Sequence, residues 1–199
     1  MKTHAPVLVG GFALLALSIG FLAVSSAGDD KDVRDEIQKI ANLIEKGDAG
    51  QAKKLAAEFA KSADLEDVMN TMGLRKANVK KPVFGYGNEP GKMIPDGIEQ
   101  KLINLGKKAP SAGQLDKEVA AIQQMAYRIA AIADIANAKA PEKDQGQKKK
   151  KDWIEWTEGL RKSAEELAKA AKSKNTAEIK TTALKVNSSC NNCHGTFRD

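Results

Sequence analysis

Residues 175–198 read NTAEIKTTALKVNSSCNNCHGTFR, and their register carries both an architecture and a chemistry. Asn175 followed by Glu178 makes a cap-like helix start. Behind it Ile179, Ala183, Val186, Cys190, Cys193 and Phe197 share one side of a 3.6-residue helix. Within that helix, Cys190-Asn191-Asn192-Cys193-His194 is the Cys-x-x-Cys-His pattern of covalent haem attachment. The order of residues is what the chemistry needs. Two thiols add across the two haem vinyl groups, and the adjacent imidazole coordinates iron. Positions 190, 193 and 194 stand in an i, i+3, i+4 relation, so both sulfurs and the ring nitrogen project from one face.

Two blander readings compete with haem. A structural zinc site needs about four ligands, commonly Cys and His; the chain has two Cys and two His, one of them His4, so carboxylates would have to complete the set. A thioredoxin-like dithiol normally opens a helix after a strand, whereas this motif closes a helical stretch near the C-terminus. Covalent haem is the reading that uses all three residues.

Working outward from the motif, the hydrophobic period is helical almost everywhere and no convincing strand emerges. Trp153, Trp156, Leu160, Ala164, Leu167 and Ala171 form a stripe behind Asp152 as a candidate cap, and they include both tryptophans of the chain. Leu115, Val119, Ile122, Met125, Ala126, Ile129, Ile132, Ala133 and Ala136 give about six turns of one apolar face, ended by Pro141 and Gly146. A short helix is expected around Ile98–Lys108. Further upstream, Val33, Ile37, Ile40 and Ile44 mark a first helix over Asp30–Lys46, stopped by Gly47. Leu55 to Met72 continues in a second helical stretch with a break near Asp64, closed by Gly73. Between them, residues 74–95 carry Pro82, Gly85, Gly87, Pro90, Gly91 and Pro95, too many breakers for a regular element, and read as an irregular surface insertion. The expected fold is all-α: a four-helix bundle with extra N-terminal helices and an insertion, haem being carried on the C-terminal helix.

The N-terminus bears on compartment. Lys2 is followed by the 18-residue apolar run Val7–Val24 and by Ser25-Ser26-Ala27, small residues suited to cleavage before Gly28. Residues 1–27 therefore read as an export signal, with an uncleaved membrane anchor as the alternative. Either way the body of the chain is expected outside the cytoplasm, in the periplasm. Residues 28–199 are enough for one helical domain with a sizeable core. The formal net charge is +6, of which Lys2 is the only part inside residues 1–27. So modest an excess, without a basic patch interleaved with stacking residues, argues against nucleic acid. Lys148–Lys151 is the one dense run, read either as a solvated linker or as a patch that steers an acidic redox partner.

A helical bundle whose last helix ends Cys-x-x-Cys-His-x-x-aromatic-Arg, here Cys190 to Arg198, resembles the class II cytochromes c, the cytochrome c-prime family. The similarity is best from about Asp152 onward, through the aromatic-rich helix, the Lys174-Asn175 turn and the motif helix. Residues 28–150 match only in helical character and are longer than the compact family pattern, as in an expanded member. The resemblance implies one covalent haem c, with Cys190 and Cys193 forming thioethers, His194 as proximal iron ligand, and Phe197 and Arg198 near the haem. Their competing readings are core packing for Phe197 and a plain charge at a helix C-terminus for Arg198. The resemblance also allows a homodimer, because class II relatives often form antiparallel dimers through early helices.

Family members divide between a vacant sixth iron position and one filled by a Met sulfur, usually from the first helix. Asp30–Lys46 contains neither Met nor His, which leans toward a vacant site if that helix is the distal one. Met69, Met72, Met93 and Met125 remain as candidate distal ligands, each competing with an ordinary core role. After residue 27 His194 is the only histidine, so bis-histidine ligation within one chain is excluded, and a peroxidase-like reaction lacks its distal His. The expected function is electron transfer to a redox partner protein rather than catalysis, with nitric oxide or carbon monoxide binding at a five-coordinate haem as the alternative.

Overall fold

The computed structural model describes residues 30–73, 83–84 and 97–198. Residues 1–27, expected to be an export signal, and Met93 lie outside them. Among the described residues there are seven helices and no named strand: α1 (Asp30–Glu45), α2 (Ala49–Ala60), α3 (Leu65–Asn70), α4 (Ile98–Lys107), α5 (Ala112–Ala138), α6 (Lys150–Lys172) and α7 (Thr176–Phe197). No helix among them is long and apolar enough to cross a membrane.

Local chemistry sets most boundaries. Ser111 and Gln114 form a reciprocal capping box at the start of α5: the Gln114 N–H donates to Ser111 Oγ at 3.3 Å and the Ser111 N–H to Gln114 Oε1 at 3.0 Å. Asp48 Oδ1 accepts from the Gln51 N–H (3.1 Å), Asp64 Oδ1 from the Glu66 N–H (2.7 Å), and Asn175 Oδ1 from the Glu178 N–H (3.2 Å). Asp64 is thus the break expected in the second helical stretch. The exception is α6. Lys149 occupies its N-cap with no side-chain bond, and Asp152 lies inside the first turn rather than capping it. The carboxylate that serves this helix end is Asp144, whose Oδ1 accepts from the Lys150 N–H at 2.9 Å.

The three longest helices, α5, α6 and α7, pack in sequence as an antiparallel set. At one end Lys174, at the α6–α7 turn, pairs with Asp116 of α5 at 2.6 Å. At the other, the Trp153 indole N–H donates to the Ala136 carbonyl at 2.7 Å. The remaining side of the bundle is shared. α1 and α2 pack on α5, and α4 packs on α7, where a Cβ on Gly106 would meet Leu184 Cδ2 at 2.9 Å. One contiguous core runs through these elements, from Ile37, Ile40 and Ala52 through Ile98 and Leu102 to Ile129, Leu167, Ile179 and Val186.

The insertion over 74–95 is not wholly superficial. Val83 and Phe84 are buried in the core, the Phe84 N–H donates to the Thr71 carbonyl at 2.7 Å, and the Arg128 guanidinium lies 4.5 Å above the Phe84 ring. Breaker density pointed to a loop; the burial of Val83 and Phe84 inside that loop is a tertiary effect that local pattern does not carry. The end of α3 and the start of α4 also touch backbone to backbone. A Cβ on Gly97 would fall inside the van der Waals envelope of the Gly73 carbonyl oxygen, 3.2 Å from its carbon. The Glu99 N–H donates to the Met72 carbonyl at 3.2 Å.

Candidate functional site

The antiparallel register brings the C-terminal turns of α7, the N-terminal turns of α6 and the C-terminal end of α5 to one end of the bundle. Helix α3 reaches the same end. Between them lies a small apolar cleft of about 30 Å³, lined by Met69 of α3 and Met72 in the turn just after it, Ala136 of α5, Trp153, Trp156, Thr157 and Leu160 of α6, and Ser189, Cys190, Cys193 and His194 of α7. All three residues of the motif face this one space.

Their environments differ along the helix. Cys190 and Cys193 are half-buried free thiols, whereas His194 is exposed at the rim. Burial pushes the Cys190 thiol up to about 12, with Cys193 and the Glu99 carboxylate of α4 adding smaller repulsions; burial likewise raises Cys193. Neither sulfur is a thiolate at neutral pH, which separates this pair from the acidic dithiols of redox catalysts.

Phe197 meets the edge of Trp153 with centroids 4.8 Å apart at 89°, and that of Trp156 at 5.8 Å and 78°. It therefore buttresses the aromatic wall of the cleft from behind. Arg198 is the C-cap of α7, exposed, with extended backbone and its N–H donating to the His194 carbonyl at 3.2 Å. Its side chain is not among those lining the cleft.

Of the candidate distal methionines, the structure separates three. Met69 and Met72 are half-buried and line the cleft; Met125 is fully buried in the middle of α5 and does not. Among the described residues the cleft is bounded by α3 and by Met72 just beyond it, and no residue of α1 lines it. Trp153 and Trp156 also belong to the site. Their i, i+3 spacing on the helix preceding the motif was the available signal.

A larger cleft of about 260 Å³ lies between α2, α5 and α6 and contains none of the motif residues. It is polar. The Arg161 Nε bonds both carboxylate oxygens of buried Asp134 (2.8 and 3.0 Å), Nη1 reaches Glu165 at 3.2 Å, and Lys53 and Glu158 stand at the lining. These charges offset one another, and nothing there matches the donor set at the end of α7. Thr157 lines both spaces and accepts from the Asn137 amide at 2.8 Å, forming part of the partition between them.

The residues at the apolar cleft fit a flat, largely apolar macrocycle held at one edge. Two neutral thiols and an imidazole stand on one helix, aromatic and aliphatic side chains supply a water-poor wall, and two thioethers stand on and just beyond a separate helix. At about 30 Å³ the space holds roughly a water or two, so the side chains of α3 and α6 must part to admit such a group.

A family model described as Cytochrome C' matches residues 105–198, which begins at the end of α4 and takes in all of α5, α6 and α7. No curated protein and no solved structure matches the chain.

Proposed function

Because residues 105–198 belong to the cytochrome c-prime (class II cytochrome c) family of haem-binding cytochromes, we propose that this chain is an exported c-type cytochrome that carries one covalent haem and passes electrons to a partner protein. The observation that carries the reading is the convergence of Cys190, Cys193 and His194 with Met69 and Met72 on one apolar cleft.

In this reading Cys190 and Cys193 would hold the haem as thioethers, each S–H adding across one vinyl group so that sulfur bonds to carbon and the hydrogen goes to the neighbouring carbon. His194 would give a nitrogen to the iron, and Met69 or Met72 a sulfur. The bound iron would supply a site that accepts and releases one electron. Trp153, Trp156 and Leu160 keep water from that site, which raises the weight of nearby charges and of the axial donors. Trp153 is anchored by its bond to the Ala136 carbonyl, so the parting that admits the group falls to the other side chains of the wall. Export is supported by the Lys2, Val7–Val24 and Ser25–Ala27 pattern. No distal histidine stands ready as an acid-base group, which favours a carrier over a catalyst.

The test is the absorption spectrum of the protein exported with a haem-attachment system, ferric and reduced, with and without carbon monoxide. Haem that stays with the chain after acid-acetone extraction and a low-spin reduced spectrum indifferent to carbon monoxide are expected. A colourless protein would overturn the haem assignment. A high-spin spectrum that shifts with carbon monoxide would transfer the function to gas binding.

A further inference from the structure

The lysines at the start of α6 are placed against their own helix. Lys149 is the N-cap, and Lys150 and Lys151 are its first two residues. The N-terminal end of a helix carries a partial positive charge and favours anions. Here it carries three exposed ammonium groups, and Asp152 is the only acid in the first turn. Stability therefore does not account for this placement.

The connection that leads into the helix has the same character. Residues 139–151 contain Lys139, Lys143 and Lys148–Lys151 against Glu142 and Asp144 alone, a local excess of +4 in a chain whose total is +6. Asp144 is engaged within the loop, accepting from the Lys150 N–H at 2.9 Å and lying 3.6 Å from the Lys149 ammonium. The loop itself is shaped. Gln145 and Lys148 exchange both backbone bonds (2.9 and 2.8 Å) around Gly146, whose φ of +56° suits glycine. The lysines thus stand on a folded platform rather than on a loose tether.

That platform adjoins the cleft. Trp153 and Trp156, which wall it, follow the last lysine by two and five residues, and the packing of Phe197 on Trp153 brings exposed Arg198 to the same end. We infer that the α5–α6 connection and the first turn of α6 form a docking surface for an acidic protein that approaches the cleft end of the bundle. The inference rests on the electron-transfer reading for its purpose, though not for its chemistry. A protein partner is favoured over a lipid surface because residues 139–151 offer only Ala140 and Pro141 as apolar groups, too little to enter a bilayer. Nucleic acid is disfavoured because the platform holds no aromatic side chain on which bases could stack.

The test compares the wild type, the triple variant Lys149→Glu, Lys150→Glu, Lys151→Glu, and a control with the same charge change, Lys169→Glu, Lys172→Glu, Lys180→Glu. The control lies at the opposite end of the bundle, on the last turn of α6 and the first turns of α7; α6 has 23 residues and is about 34 Å long, roughly three screening lengths at 0.1 M ionic strength. Poly-glutamate binding by calorimetry at about 0.1 M ionic strength needs no haem, so it decides the surface even if the protein proves colourless. The first variant should bind about tenfold more weakly or worse, the control should bind nearly as wild type, and salt should abolish the difference. Oxidation of the reduced haem protein by hexacyanoferrate(III), in which iron loses one electron and the anion gains it, should slow in the same order. Equal weakening in both triple variants, or none in either, would overturn the inference. So would tighter, Lys149–Lys151-dependent binding to phosphatidylglycerol vesicles than to poly-glutamate, which would make the surface a membrane one.

Discussion

Replacing Gly97 by alanine should damage the cleft through the backbone, although Gly97 lies outside the lining. Gly97 has φ −64° and ψ 170°, a conformation open to any residue, so alanine brings no dihedral strain. The cost is steric. The new Cβ would collide with the Gly73 carbonyl, its carbon at 3.2 Å and its oxygen nearer, with the Met72 oxygen at 3.5 Å. Both obstacles are main chain and cannot rotate away, so α3 and α4 must separate. Overpacking of this kind costs about 1–3 kcal/mol. For a chain of this size that is a fall in Tm of about 2–12 °C. The Glu99 N–H bond to the Met72 carbonyl crosses the same junction, so the Met72 backbone is displaced along with it. Thermal unfolding of the haem-loaded protein measures the first effect, and carbon monoxide binding by the reduced protein the second. A paired variant supplies the sign control: alanine at Gly159, inside α6 with nothing within 4 Å of its Cβ, should stabilise by about 0.5–1 kcal/mol. A Gly97→Ala protein that melts with the wild type would refute the backbone contact.

Other outcomes test the site more directly. Replacing both Cys190 and Cys193 by alanine should abolish covalent haem, and colour surviving acid-acetone extraction of that variant would contradict the thioether assignment. His194→Ala should keep haem attached at reduced yield with altered ligation, read from the visible spectrum. Of Met69→Leu and Met72→Leu, one should convert the reduced protein to a carbon monoxide binder while Met125→Leu changes nothing; a response from the Met125 variant alone would invalidate the cleft as drawn. Stability should also depend on Asp134, whose carboxyl is held above its usual range by burial against the pull of Arg161. A folded pKa above the unfolded value means that stability from this group is full below about pH 4 and is lost as pH rises through the folded value. Asp134→Asn should remove that slope, so the wild type loses ground to the variant between acid and neutral pH in denaturant titrations, and a constant difference would count against it.

The motif helix was legible because its information is local. Asn175, Glu178 and the Ile179–Phe197 stripe specify one element, and that element already holds the three residues proposed to bind the cofactor. The long apolar faces of α5 and α6 were legible for the same reason, as were Asp64 and Gly47, since a cap and a left-handed turn are properties of a few consecutive residues. The cap of α6 was not. Asp152 had the right residue type next to the right stripe, yet the bond is made by Asp144 from six residues before Lys150, because the folded Gln145–Lys148 turn brings it back.

The distal wall was hidden by a longer version of the same problem. A methionine in α3 can reach the cleft only if the chain after it returns to lay α4 beside α7, and that return runs through residues 74–96, where periodicity is silent. What fixes it are contacts between distant residues: Phe84 seated in the core under Arg128, the Phe84 N–H on the Thr71 carbonyl, and the bare backbone approach of Gly97 to Gly73. The helices before residue 105 therefore do more than add length to the part that the family model matches. It delivers Met69 and Met72 to a cleft from which α1, lacking both Met and His, is absent. An open sixth position could be inferred from α1 alone; two thioethers beside the motif argue for a filled one.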